Sequence, residues 1–313
     1  MRRAPLPVRD GLNPSRIRLP DEGPPTVLEY LLDRFAGDAD RVREKVEAGE
    51  VVDGDGGVIN PATPFAGQQW VFMYRDPAPE PRVPFEIEIL HRDDDLLVVD
   101  KPHFLATMPR GLHVVESALV RLRRQLDLPD LSPIHRLDRV TAGVLIFSLR
   151  PANRGAYQTM FAQRKVTKYY EAVAPYRPDV SMPATVESRI VKYRGTPTAQ
   201  QVPGEPNAFT RIELLAVHRH ADHDRGLYGL HPATGKVHQL RLHMNSLGLP
   251  IVGDNFYPTL LDTDRQDYSD PLQLLAKSIE FDDPITGEHR RFTSRRRLAG
   301  WASAVTTAAA SSS

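Results

Sequence analysis

Asp138 lies in the stretch PIHRLDRVTAGVLIF, residues 133–147, with Arg136 and Arg139 on either side. From His135 to Tyr170 it is the lone acid among Arg136, Arg139, Arg150, Arg154, Arg164, Lys165 and Lys168. It precedes an apolar run of strand length, in a turn containing Thr141 and Gly143, where a side chain can be presented at a sheet edge. Neighbouring guanidinium groups favour the ionised form, which a carboxylate nucleophile or base needs. The same pattern suits a structural aspartate that caps the turn and pairs with an arginine. A kinase catalytic loop is ruled out, because Leu137 separates Arg136 from Asp138 and neither the required asparagine nor a Gly-rich phosphate loop accompanies it.

A second group of polar residues occupies LHPATGKVHQLRLHMNSLGLPIVGD. Val237, Leu240, Met244 and Leu247 fall on one helical stripe that Gly248 ends, and Arg241 sits one turn in. His238 and His243 are five residues apart, the wrong spacing for two metal ligands on one helical face, so a metal is not expected. Arg241 by itself also fits an ordinary surface arginine. Tyr169 and Tyr170 occupy adjacent positions on an alternating strand, which sends the rings to opposite faces. One ring could stack on a nucleobase within a basic groove, although strand tyrosines are commonly core residues.

The elements that must position these groups can be read from periodicity. FEIEIL and LLVVD read as strands around the acidic turn HRDDD, followed by Lys101 and Pro102. VVESALVRLRRQL reads as an amphipathic helix with Arg121, Arg123 and Arg124 available to its polar side. VLIFSL reads as a strand, ANRGAYQTMFAQR as a helix and TKYYEAVAPY as a strand. Strands outnumber helices and several are joined by short turns, so an α+β fold with a mixed, largely antiparallel sheet flanked by helices is expected. Ahead of it, two short helices and a β-rich piece form a small module over residues 24–82, with RDPAPEPRVP as its closing linker. Residues 1–23 and the tail 303–313 are small, polar or Pro-rich, and are expected to be a flexible arm and a disordered tail around a catalytic domain of residues 83–302.

Composition narrows the function classes. The 313 residues carry 40 basic and 40 acidic side chains, so any polyanion site must be local. The absence of cysteine excludes disulfides, thiolate metal sites and a Cys nucleophile, and a cytoplasmic location follows as the expectation. No apolar run reaches membrane-spanning length, and the opening residues lack the apolar core of a signal peptide.

HRLDRVTAGVLIF resembles the signature of the RluA-type pseudouridine synthases, His-Arg-Leu-Asp followed by Thr, a small residue, Gly and an apolar strand. DDDLLVVDKP, KYYEAV, TGKVHQLRLHMNSLGLPIVGDNFY and LLAKSIEFDDPITGE resemble further family segments in the same order, over residues 85–301. The resemblance implies a pseudouridine synthase fold in which Asp138 is the catalytic carboxylate, Tyr170 stacks on the target base and Arg241 is the ion-pair partner of Asp138. Arg136 would hold the site open once a uridine is flipped out. Arg139, Arg164, Lys165, Lys168, His238 and Gln239 would complete the RNA contacts.

The implied partner is structured RNA, ribosomal or transfer, with no cofactor or metal, and the chain is expected to act as a monomer. The small N-terminal module resembles an alpha-L RNA-binding module through VREKVEAGEVVDGDG, with its basic surface diluted by Asp33, Asp38, Asp40, Glu44 and Glu47. Ala142 stands where the family usually has Ser, and Lys236 where Arg is common. The competing readings are a noncatalytic RNA-binding or assembly factor with the same fold, and a hydrolytic glycosidase, which would usually require a second carboxylate.

Overall fold

The computed structural model describes residues 4–219, 224–264 and 266–301. The expected tail at 303–313 lies outside the described residues. The chain divides into two compact units, one holding the chain up to Pro79 with Val120–Pro129, the other Glu80–Leu119 and the chain from Asp130 on.

In the first unit, strand β1 (Ser15–Arg18) precedes helices α1 (Val27–Arg34) and α2 (Ala39–Glu47), then β2 (Val52–Asp53) and β3 (Trp70–Met73). The Thr26 hydroxyl caps α1 by accepting from the Glu29 N–H, and Leu31 enters a core with Val42, Val46, Val71 and Met73. Strand order is β1-β3-β2, with Ile17 opposite Val71. The expectation of a flexible arm over residues 1–23 is therefore corrected for the described part, from residue 4 on. Ile17 and Leu19 alternate with arginines and are buried in this core, which offsets the entropy of ordering them.

Helix α3 (Ala118–Leu126) supplies the residues from Val120 on to the same unit. Of its arginines only Arg124 lies on the solvated polar side read from the sequence. Arg121 and Arg123 are buried, and Arg123 donates to Gly11 O at 3.0 Å and to Asn13 Oδ1 at 3.3 Å. Arg124 Nε donates to Asp10 O at 2.7 Å, so these cations brace the N-terminal segment instead.

The second unit is built on β4 (Glu88–Arg92), β5 (Leu96–Lys101), β6 (Ser132–Pro133), β7 (Ala142–Ser148), α4 (Arg154–Ala162) and β8 (Thr167–Pro175). It continues through β9 (Ala184–Val191), β10 (Gln200–Val202), β11 (Ala208–His218), β12 (Arg225–Pro232), α5 (Gln239–Ser246), β13 (Leu274–Asp282) and β14 (His289–Thr293). One sheet runs β10-β9-β11-β12-β8-β13-β7-β5-β4, with β14 on β13 and β6 on β7. Every named pair is antiparallel except β13 with β7. The fold class read from the strand-rich pattern and short turns is the one observed.

The parallel pair lies next to Asp138, and Gly143 is what allows it. Gly143 has φ +116°, and a Cβ there would lie 2.2 Å from Ala276 O, so only glycine lets β7 meet β13 at this point. Apolar faces of β5 and β7 pack with Tyr157 and Met160 of α4, giving the Asp138 turn a rigid floor.

Candidate active site

The Asp138 turn is held by its backbone. His135 Nε2 accepts from the Ile146 N–H at 3.2 Å while its ring stacks on Phe161 at 4.9 Å. Thr107 Oγ1 donates to Leu137 O at 2.8 Å and accepts from Leu137 N–H at 3.1 Å. The Lys101 ammonium donates to Arg139 O at 3.2 Å, Leu105 O at 2.8 Å and Pro102 O at 3.0 Å, and His103 Nδ1 donates to Val140 O at 2.7 Å. Polar groups from residues 101–107 thus fix the carbonyls on both sides of Asp138. Sequence reading missed this clamp, and its signal was faint: Lys101 closes a strand that is buried throughout and is itself fully buried.

Asp138 faces a cleft open to solvent. Arg136, Asp138 and Thr141 form one wall, Lys168 and Tyr170 of β8 another, and the turn at Thr234, Gly235 and Lys236 leads to His238, Gln239 and Arg241 at the start of α5. Asp138 is the lone acid among the described residues lining it. Sites that sequence separates by 103 positions, Asp138 and Arg241, are thereby brought to one cavity.

Tyr170 and Tyr169 do part to opposite faces. Tyr170 lines the cleft, while the Tyr169 ring lies 5.0 Å from His231. Burial, reinforced by the Asp138 charge, holds the Tyr170 phenol well above its ordinary range, so it is a neutral ring beside the carboxylate. Lys168 donates to Thr234 O at 2.8 Å across the cleft, and burial, with Arg164 adding repulsion, pushes its ammonium down to about 8.

Arg241 departs from its implied role. Its Nε donates to Asp254 Oδ2 at 2.8 Å and its Nη2 to Asp254 Oδ1 at 2.5 Å, both side chains being fully buried. Among the described residues it makes no ion pair with Asp138; its partner is 13 residues along the chain in the turn that closes over α5. The same guanidinium lies 4.7 Å from the Phe256 ring centre and 5.5 Å from that of Tyr257.

The other expected contacts sort by geometry. Arg136 is exposed at the cleft, and His238, in the left-handed region at φ 57°, is bonded through Nδ1 to the Tyr257 hydroxyl at 3.0 Å. Burial, with the Arg241 cation adding to it, pushes His238 down to about 4 against the opposing pull of Asp138. Gln239 is corrected from RNA contact to structural brace. Its amide donates to Phe209 O and Thr210 Oγ1, and its oxygen accepts from the Thr234 hydroxyl and Lys236 N–H, leaving nothing for a ligand. Arg139 turns its guanidinium to Phe104 O at 3.3 Å, over the Phe104 ring. Arg164 and Lys165 are exposed beyond the end of α4, outside the cleft wall. His243 bonds Thr210 Oγ1 and Ser188 Oγ, away from His238's partner, so the two histidines share no ligand position.

Residues 95–246 match the family model described as RNA pseudouridylate synthase. An uncharacterized RNA pseudouridine synthase of Synechocystis sp. is 30% identical over 69% of this chain and 73% of its own length. The dual-specificity RNA pseudouridine synthase RluA of Haemophilus influenzae is 31% identical over 67% of this chain and 93% of its own. The tRNA pseudouridine synthase C of Haemophilus ducreyi is 32% identical over 64% and 87%. Among solved structures, human RNA Pseudouridylate Synthase Domain Containing 4 shares the fold at TM-score 0.52 and 24% identity, over 70% of this chain and 92% of that one. The chain belongs to the RluA-type RNA pseudouridine synthases, a family of RNA-modifying isomerases.

Proposed function

We propose that the chain converts specific uridines of structured RNA, ribosomal or transfer, into pseudouridine, with Asp138 as the catalytic carboxylate. The observation that carries this is the composition of the cleft: one carboxylate facing a neutral tyrosine ring, within walls whose charged groups are otherwise cationic. An extruded uridine would stack on Tyr170, with Arg136 helping to hold the site open. Base flipping costs a few kcal/mol, which phosphate contacts can offset. The C1′–N1 bond breaks, C1′–C5 forms, C5 gives up its proton and N1 takes one, so the composition of the nucleotide is unchanged.

The relatives named as dual-specificity and tRNA pseudouridine synthases support RNA as the substrate. A glycosidase fits less well, because no second carboxylate among the described residues lines the cleft to activate water. The clamp on residues 137–140 fixes the backbone that carries the carboxylate.

Asp138→Asn keeps the shape and removes the charge, so it should abolish pseudouridine formation while leaving thermal unfolding and RNA affinity close to the parent. The measurement is pseudouridine mapping in RNA from cells with and without the gene, with the purified variant assayed on the sites found. A variant that still turns over at the parent's rate would remove Asp138 from the chemistry.

A further inference from the structure

The hairpin of β9 and β10, at the edge of the large sheet, turns through residues 192–199, and its sequence KYRGTPTA places Tyr193 between Lys192 and Arg194. Tyr193 is 50% exposed, and among the described residues its ring has no aromatic or hydrogen-bonding partner. The loop beneath it is nevertheless braced. Lys192 donates to the Thr196 carbonyl, and the Thr196 hydroxyl bonds Tyr193 O at 3.0 Å and Thr198 O at 3.1 Å. Where the loop ends, the Tyr257 hydroxyl both accepts from Ala199 N–H at 2.9 Å and donates to Ala199 O at 2.8 Å. That hydroxyl is also the partner of His238, a wall of the cleft, so the base of the loop is bonded to the cleft wall. The Lys192 charge is felt at His238.

The Tyr193 ring stands exposed on a braced loop, and in sequence it is flanked by two cations. Arg194 is exposed and, among the described residues, is without a carboxylate partner, in contrast to Arg290, Arg291, Arg295 and Arg296, each of which meets an acid. A rigid ring between cations suits an unpaired base followed by its phosphates. We propose that Tyr193 is a second stacking platform, which receives an RNA base outside the cleft while Arg194 holds the adjoining phosphate and Lys192 braces the loop. The inference rests on the reading of the cleft as an RNA-modifying site. It makes the loop a determinant of which RNA is held, while the isomerisation stays at Asp138.

The test uses the full chain with Asp138→Asn, so that binding is read without turnover, and in-vitro-transcribed, unmodified transfer and ribosomal RNA as probes. Tyr193→Ala should weaken binding about 5- to 150-fold, as expected for loss of one stacked base. Tyr193→Phe and Tyr193→Trp should retain it. Arg194→Ala should lose affinity at low salt and little at high salt. In the active background Tyr193→Ala should raise KM and leave kcat unchanged. Unaltered RNA affinity of Tyr193→Ala, with parent-like thermal unfolding, overturns the proposal and gives the loop to a partner of another kind. Equal losses for Phe and Ala would also overturn it, since the ring would then not be what binds. Parent protein that binds these RNAs but forms no pseudouridine would defeat the functional reading alone, because the Tyr193 series still reports on the loop.

Discussion

Arg241 and Asp138 share a cleft, yet the guanidinium's charge is taken up by Asp254, whose carboxylate also accepts from the Phe256 and Tyr257 N–H groups. Two fully buried ions therefore depend on each other, and removing one strands the other in a low-dielectric setting. Asp254→Ala should destabilise the fold by about 3–5 kcal/mol, the range for an orphaned buried partner. Asp138→Asn should leave the unfolding midpoint close to the parent's, because the Arg241 cation is already matched by Asp254. Denaturant titration of the two variants side by side decides which acid is the structural partner of Arg241. Equal stability of both would return Arg241 to a role with Asp138.

At the level of elements, the turn at Asp138 exists because β7 can run parallel to β13 for two residue pairs, Ala142 with Leu275 and Gly143 with Ala276. Gly143→Ala would force a Cβ against the Ala276 carbonyl in a backbone region that L side chains avoid. A loss of about 2–4 kcal/mol is expected, combining backbone strain with overpacking. Activity should fall with it, since the residues of the strand begin four positions after Asp138. Thermal unfolding together with the initial rate on RNA tests this; a stable Gly143→Ala enzyme with parent activity would show that the parallel join is dispensable. The Thr-small-Gly spacing was visible in the sequence, but the reason for the glycine was not, because Ala276 is far along the chain.

Across the whole molecule, equal numbers of acids and bases do not mean an even surface. By sequence, the arginines at 290, 291, 295 and 296 are candidates for a phosphate-binding face together with Arg154, Arg164, Lys165, Lys168 and Arg297. In the fold those four are largely spent on carboxylates: Arg290 on Asp93 and Glu288, Arg291 on Glu280, Arg295 on Glu88 and Arg296 on Asp100. Arg164 and Lys165 are exposed and, among the described residues, in no ion pair with an acid. An Arg164→Ala/Lys165→Ala variant should flatten the log-log salt dependence of RNA binding by about 0.7–0.9 for each phosphate that is no longer neutralised. Arg295→Ala/Arg296→Ala should keep the slope and lose stability, as Asp100 is fully buried and would give up a cation. A flattened slope in the second variant alone would put the RNA on the C-terminal side.

Local pattern was enough for the strand-rich α+β class, the helix ended by Gly248, the split of Tyr169 from Tyr170, and Asp138 as a lone acid before a buried strand. Each of these depends on neighbours within a few positions, where side-chain period and backbone preference act directly. Contacts between distant segments could not be read that way. The ordering of the N-terminal segment needed β3 along strand β1 and the arginines of α3 just ahead of it; the pairing of Arg241 with Asp254 needed the turn after α5; and Gln239 became a brace because Thr234 and Phe209 closed around it. A charged or polar side chain takes the nearest partner that can match its hydrogen bonds in the folded chain. That partner is set by which loops the sheet brings together, and sequence spacing carries no record of it.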